Sequence, residues 1–423
     1  MDPVLFPNDN SFWFETLRVL GHTAYGGADI GEVLTTAQAI TAGDYDSWYD
    51  EWLATADRIA GEAEKALAGG HLVSARDGLM RASNYYRSAE FYLHEHPDDP
   101  RIDHVYTRAR ECFVRAAALL DSPVEPVEIP YGDKVLHGYF YPAQRRDGDT
   151  GPRPTMIMHS GFDGTCEEMH WFGAVAGQER GYNVVTFDGP GQPAALHFDG
   201  LVFRPDWEHV VTPVLNWVLE RPGVDRDRVA LLGASMGGLL APRAAAYEHR
   251  LAACIAFDGV YDLGLTVTRS MPGTRTESEA VLRAESAPEA DAMIEQLMAS
   301  DPSIRWAATH GQYVMGVDSP RAFFASYLEY TLADGIAEQI TCPMLVCDAA
   351  TDMFFDGQPR LLFDHLTCPK TLLEFSDEEG AGAHCQTGAQ RLVDGPPDPR
   401  RDLAGRGEQG AIQIDRDHPV SMG

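Results

Sequence analysis

Apolar residues recur at every third and fourth position through the first 120 residues, a spacing that predicts helices throughout residues 11–120. Residues 45–68 place Trp48, Trp52, Ala56, Ile59 and Ala63 on one helical face. Residues 71–94 do the same with Leu79, Ala82, Tyr85, Tyr86, Ala89 and Tyr92. Asp98-Asp99-Pro100 stops that helix and caps another over residues 102–120. At Val124 the period becomes two: Val127-Glu128-Ile129-Pro130 and Leu136-His137-Gly138-Tyr139-Phe140 alternate as an antiparallel hairpin. Short apolar runs follow at residues 155–159, 183–187, 228–233, 252–257, 343–347 and 371–375, separated by helical stretches. Strands alternating with helices predict an α/β fold, a mostly parallel, doubly wound sheet covered on both faces.

Two segments depart from that alternation. Residues 263–340 are rich in helix formers, contain Arg305-Trp306, and enter where a lid is expected. From Asp394 the chain is rich in Pro, Gly, Arg and Asp without amphipathic period, which predicts an irregular, disordered tail. A sheet of this kind normally closes with a helix, so a reading-frame change is one explanation for the tail; an intact frame on sequencing the locus sinks it. The expected division is a helical lid and pocket domain (1–122), a sheet domain (123–393) carrying the insertion, and the tail (394–423).

Composition narrows the partners. A chain of 423 residues favours a main domain with an accessory one. With 33 basic against 64 acidic residues, a net charge of −31 repels nucleic acid and anionic membranes, so neither is expected as a partner. Seven cysteines lack C-x-x-C spacing, and Cys254 and Cys347 sit inside apolar runs, which fits a reducing, cytoplasmic setting. Met1-Asp2-Pro3 opens no basic region followed by an apolar stretch, so no signal peptide is expected, and no apolar run reaches the roughly 18 residues of a membrane span. The glycines of Asp188-Gly189-Pro190-Gly191-Gln192 match no phosphate-binding pattern and read as a tight turn at the sheet's C-terminal edge. No clustered His and Cys set implies a metal, so neither cofactor nor metal is expected.

The candidate chemistry centres on Gly233-Ala234-Ser235-Met236-Gly237, between the apolar run Val229–Leu232 and the helical Gly238-Leu239-Leu240-Ala241. The pattern reads as a strand, a sharp turn with Ser235 at its tip, and a helix, with glycines where a Cβ collides with neighbouring elements. An ordinary glycine-rich turn is the bland alternative. A serine hydroxyl needs a base to take its proton and an acid to orient the base, in the chain order serine, acid, histidine. After the 343–347 strand, Asp348, Asp352 and Asp356 qualify as the acid, with Asp352 best placed; after the last strand His384 is the candidate base. Acyl chemistry also needs two N–H groups aimed at the developing oxyanion. Met236 supplies one, and the loop His159-Ser160-Gly161-Phe162-Asp163-Gly164 the other, with Phe162 first choice and Gly161 or Asp163 open. His159, at the strand end, reads as orienting that loop rather than as a base. Trp13, Phe14, Tyr25 and Trp171 either face the cleft or pack behind it, and substrate contacts are expected from Trp13, Tyr25, His159, Asp163 and Asp258.

The serine turn, the Asp352 loop and Gly382-Ala383-His384-Cys385-Gln386 resemble those of α/β-hydrolases. Tyr25-Gly26-Gly27-Ala28-Asp29, Tyr85–Phe91, His159–Asp163 with Glu167-Glu168, and Phe203-Arg204-Pro205-Asp206-Trp207-Glu208 narrow the resemblance. They are similar to the branch with an N-terminal helical domain, which includes 2,6-dihydroxypseudooxynicotine hydrolase and the fungal heptaketide (yellowish-green pigment) hydrolases. That resemblance runs from about residue 12 to 391 and implies hydrolysis of a carbon–carbon bond beside a ketone. The implied substrate is an aromatic or polyketide-like 1,3-dicarbonyl held between helical domain and sheet, attacked by Ser235 while His384 shuttles the proton. Some members add a carboxylate after the sixth strand; Asp258 and Asp262 are nearest, and a plain strand-end turn is the equal alternative. A carboxylesterase or acyl-peptide hydrolase uses the same triad, as does cyclisation, elimination or acyl transfer, and a non-catalytic scaffold is the reading from another class. A homodimer is expected.

Overall fold

A computed structural model describes residues 3–122, 124–144 and 151–386. The expected tail from residue 394, and the frame-change idea attached to it, lie outside the described residues.

Helices come first because the amphipathic period demands a partner for each apolar stripe. They are α1 (Asn10–Gly21), α2 (Ile30–Ala39), α3 (Tyr45–Ala68), α4 (Leu72–Glu90) and α5 (Pro100–Ala117). Asp9, Asp29, Asp44 and Asp99 cap α1, α2, α3 and α5 with side-chain oxygens on first-turn N–H groups. Helix α4 is buried along most of its length from Gly78 onward, since α3 and α5 pack on it. It stops at Glu90, earlier than the period predicts, and Leu93–Glu95 continue as a separate 3₁₀ turn. The last helix of the group likewise begins at Pro100 and stops at Ala117, two to three residues before its predicted span at each end.

The strands are β1 (Glu125–Tyr131), β2 (Lys134–Tyr141), β3 (Arg153–His159), β4 (Asn183–Phe187), β5 (Val224–Ala234), β6 (Ala253–Phe257), β7 (Met344–Ala349) and β8 (Lys370–Phe375). They form one eight-stranded sheet in the order β1-β2-β4-β3-β5-β6-β7-β8. The predicted hairpin β1–β2 is antiparallel, β2 pairs antiparallel with β4, and every later pairing is parallel. Strands β4 and β6 are buried at every residue, the signature of a sheet covered on both faces. The covering helices are α6 (Val175–Glu179), α7 (Pro193–Asp199), α8 (Glu208–Glu220), α9 (Gly237–Tyr247) and, between β7 and β8, α15 (Gln358–His365).

The insertion between β6 and β7 folds as α10 (Leu263–Thr268), α11 (Arg275–Arg283), α12 (Pro288–Ser300), α13 (Pro302–Met315) and α14 (Pro320–Ser326). It meets the N-terminal helices directly. Trp306 stacks on Phe91 at 4.8 Å and 13°, its Nε1–H reaches the Phe91 carbonyl at 3.3 Å, and the Tyr45 hydroxyl donates to the Pro302 carbonyl at 3.2 Å. Parallel registers pair His159 with Gly233 and Ala234 with Phe257, so the C-terminal ends of β3, β5 and β6 align. The loops that leave this edge carry the candidate chemistry, the usual place for a site in an open α/β sheet. Among the described residues, no helix is long and apolar enough to cross a membrane.

Candidate active site

Ser235 follows β5 with φ +60°, a left-handed conformation that a non-glycine residue adopts only when its surroundings hold it there. Here the Ser235 N–H donates to the Phe257 carbonyl at 2.9 Å, while its carbonyl accepts from the Gly238 N–H at 2.7 Å. The turn is tight enough that a Cβ on Gly233 would lie 2.0 Å from the Gly237 carbonyl oxygen, so glycine is required.

The loops after β7 and β8 bring the other two groups to this serine. Ser235 Oγ lies 2.8 Å from His384 Nε2, and His384 Nδ1 lies 2.8 Å from Asp352 Oδ2. The second Asp352 oxygen accepts from the Phe354 and Phe355 N–H groups at 2.7 and 3.1 Å, which locks the carboxylate plane. Asp348 and Asp356, the alternatives for the acid, are absent from the imidazole's hydrogen bonds and ion pairs. A second carboxylate does face His384: Asp258 Oδ2 lies 3.1 Å from Nδ1 and also accepts the Cys385 N–H. Asp258 is fully buried, sits directly after β6, and is held at φ +61°. Burial depresses the imidazole, but Asp352, the Cys385 sulfur and the hydrogen bonds that the imidazole donates to Asp258 and Asp352 outweigh it and hold His384 well above its ordinary range. Burial raises Asp352, and the opposing His384 charge with the two backbone donors brings it below its ordinary value.

The loop after β3 presses on the serine turn: a Cβ on Gly161 would stand 2.5 Å from the Met236 nitrogen. Phe162 and Met236 flank Ser235 on the wall of a cavity of about 720 Å³. Its other walls come from α1, the insertion and the Met353–Phe355 loop, and they are mostly apolar, with Phe14, Phe172, Trp306, Phe323 and Phe354 prominent. One wall is charged. Arg18 spans Glu168 at 2.5 and 2.6 Å and Asp163 at 3.1 Å, and Arg87 reaches Glu15 at 3.3 Å. Burial, opposed by Arg18 and Arg87, raises the Glu15 carboxyl to about 7.

Of the expected substrate contacts, Asp163 lines the cavity, while Trp13, Tyr25, His159 and Asp258 are not on its wall. Helix α1 presents Asn10, Phe14 and Arg18 at four-residue spacing, and Trp13, rotated by about 100° from Phe14, packs into the core instead. Tyr25, beside Arg180, is not on the cavity wall. Trp171 packs under Gly27, where a Cβ would meet its ring at 2.8 Å. His159 is fully buried beneath the loop: its Nδ1–H donates to the Ser160 carbonyl at 2.8 Å and its Nε2 accepts from Trp207 Nε1 at 3.3 Å. Burial pushes His159 down to about 4, which keeps it neutral in that role. Sequence reasoning missed Arg18, Glu15 and the contact of Asp258 with His384; the four-residue step from Phe14 to Arg18 was the available signal for the first.

Two groups of described residues bring potential metal-ligand atoms within 4.8 Å of one another. In Asp258, His384 and Cys385, the histidine is already shared between Ser235 and Asp352. In Cys166, Glu167 and Asp188, Glu167 accepts from Tyr139 at 2.6 Å and pairs with Arg110 at 3.7 Å.

A parallel sheet with antiparallel β1 and β2, a strained serine between β5 and α9, and an insertion after β6 define an α/β-hydrolase. The chain belongs to the family described as FrsA-like esterases, which matches residues 31–272. It is 37% identical over 400 residues to hydrolase LUC6 of a Fusarium species, covering 92% of this chain and 95% of that protein. It is 36% identical over 397 residues to 20-hydroxy-prefusarin hydrolase FUS2 of Gibberella moniliformis, covering 90% and 93%. Among solved structures, 2,6-dihydroxy-pseudo-oxynicotine hydrolase shares the fold with a TM-score of 0.65 at 24% identity, covering 87% of this chain and 90% of that one. The enzyme class and the branch implied by the sequence motifs are borne out by these matches.

Proposed function

We propose that this hydrolase uses Ser235 as nucleophile, His384 as base and Asp352 as the orienting acid. On this reading it cleaves a carbon–carbon bond beside a ketone, or an acyl bond, in an aromatic or polyketide-like substrate. The observation that carries the reading is the continuous Ser235–His384–Asp352 hydrogen-bond chain opening into a large, mostly apolar cavity. Ser235 Oγ–H gives its proton to His384 Nε2 as the oxygen adds to the substrate carbonyl. The negative charge moves to the carbonyl oxygen, which the Met236 and Phe162 N–H groups stabilise. Collapse breaks the bond to the leaving group, which departs as an enolate or alkoxide and takes the proton from His384. Water, deprotonated by the same nitrogen, then hydrolyses the acyl-serine. Residues 1–122 serve as one wall of the pocket, through Phe14 and Arg18.

The esterase family to which the chain belongs favours a second reading, simple ester hydrolysis by the same groups. Wild type and Ser235→Ala are assayed in parallel on an aryl 1,3-diketone and a p-nitrophenyl ester, with fluorophosphonate labelling to locate the nucleophile. Diketone cleavage, lost by about 10⁴-fold or more in the variant, is the expected result. Turnover of the ester alone favours the second reading, and near-wild-type turnover by Ser235→Ala overturns both.

A further inference from the structure

The Asp188–Gln192 turn takes no part in the triad, yet its last side chain ends beneath the loop that carries Phe162. Gln192 is fully buried. Its Oε1 accepts from the Gly189 N–H at 2.7 Å, which fixes the orientation of the amide. Its Nε2 then faces acceptors: the Ser160 carbonyl at 2.8 Å, the Gly161 carbonyl at 3.1 Å and Ser160 Oγ at 3.2 Å. The turn itself has a firm base. A Cβ on Gly191 would lie 2.1 Å from the Phe203 ring, one on Gly189 would lie 2.6 Å from Trp207, and Asp188 Oδ2 accepts from the Ala194 N–H at 3.0 Å.

A trans peptide holds its C=O and N–H antiparallel. Pinning the Gly161 carbonyl therefore aims the N–H of the same peptide, that of Phe162, away from Gln192. Gln192 lies behind the cavity wall, whereas Phe162 and Ser235 lie on it. We propose that Gln192 is a positioning residue for the oxyanion hole: by holding the Gly161 carbonyl it aims the Phe162 N–H at the substrate oxygen under attack. The inference rests on the serine-nucleophile reading with Phe162 as a donor. The next peptide has its own clamp, because His310 Nε2–H donates to the Phe162 carbonyl at 3.0 Å and so aims the Asp163 N–H. The two clamps make the two candidate donors separable.

Wild type and Gln192→Met, as full chains, are compared in fluorophosphonate labelling rate and in affinity for an aryl trifluoromethyl ketone, whose serine adduct carries an oxyanion. The matching aryl methyl ketone reports ground-state binding. In the variant, labelling rate and trifluoromethyl ketone affinity are each expected to fall about 10- to 100-fold, with methyl ketone affinity unchanged within about twofold. Gln192→Glu keeps the contact to Gly189, serves if the methionine variant fails to fold, and is expected to lose at least as much because a carboxylate oxygen then faces the acceptors. His310→Phe is expected to lose less than either. Wild-type labelling and trifluoromethyl ketone affinity in both Gln192 variants overturn the inference, and so does a larger loss in His310→Phe, which assigns the donor to Asp163. If the wild type itself is not labelled at Ser235, the serine reading fails and this inference falls with it.

Discussion

At the scale of single residues, the unusual feature is a histidine facing two carboxylates through one nitrogen. Asp352 and Asp258 both lie within 3.1 Å of His384 Nδ1, and each favours the imidazolium. In its proposed role as base, His384 must be neutral to accept the serine proton, so activity is expected to fall as pH drops through its raised value. Removing one carboxylate lowers that value. In Asp258→Asn the acid limb of kcat/KM is therefore expected to move to lower pH, while the plateau falls less than about tenfold. Asparagine tolerates the positive φ of this position, so the backbone is preserved. Asp352→Asn, by contrast, is expected to cost about 10⁴-fold because the imidazole loses its orienting partner. A pH profile of Asp258→Asn that superposes on wild type removes Asp258 from the titration of His384.

At the scale of elements, helix α1 is fastened to the sheet edge by charge. Arg18 is the bidentate partner of the buried Glu168 and the partner of Asp163. Burial raises the Glu168 carboxyl, and Arg18, then Arg87 and His22, pull it well below its ordinary range. Arg18→Leu leaves these carboxylates without their main partner and is expected to cost about 3–5 kcal/mol in denaturant unfolding. The double variant with Glu168→Leu is expected to recover part of that loss, and additive losses would show that the pair is not coupled. Elements of this kind also show what a sequence reveals. The strands were legible because burial on both faces leaves continuous apolar runs, and β4 coincides with its predicted span. Strand β5 begins at Val224, four residues before its apolar run, because Val224 pairs with Arg153 across a register shift that no local pattern encodes. Ser235, Asp352 and His384 were legible as candidates because each follows a strand end in a fixed order. The sequence leaves Trp13 either at the cavity or behind it and does not single out Arg18, because the phase of α1 is set by what it docks against. Gln192 reads as a turn residue, and Asp258 as a substrate contact, an added carboxylate or a plain strand-end turn, because their partners lie 31–32 and more than 120 positions away.

At the scale of the whole molecule, burial of neutral histidines ties stability to acidity. His170 is the plainest case, since burial alone pushes it down to about 3 and its Nδ1 has no hydrogen-bond partner among the described residues. The unfolded chain takes up a proton near 6.5, before the folded one does, so this stabilising contribution is complete above 6.5 and lost as pH falls toward about 3. His170→Phe abolishes it. The stability of the variant relative to wild type is expected to rise by about 1.4 kcal/mol for each pH unit below 6.5, as read by urea unfolding at pH 7 and pH 5. A pH-independent difference would mean that His170 is not buried neutral.

The first helix and the last described turn also meet, for the Phe14 ring lies 6.0 Å from His384 and 5.9 Å from Phe354. A ribosome delivers these partners at opposite ends of synthesis, with the serine turn midway between them. Between the emergence of residue 235 and that of residue 384, a nascent chain therefore holds Ser235 without the histidine proposed as its base. On the proposed reading, activity waits for nearly the last described residue to emerge, so a chain released before His384 is expected to be inert.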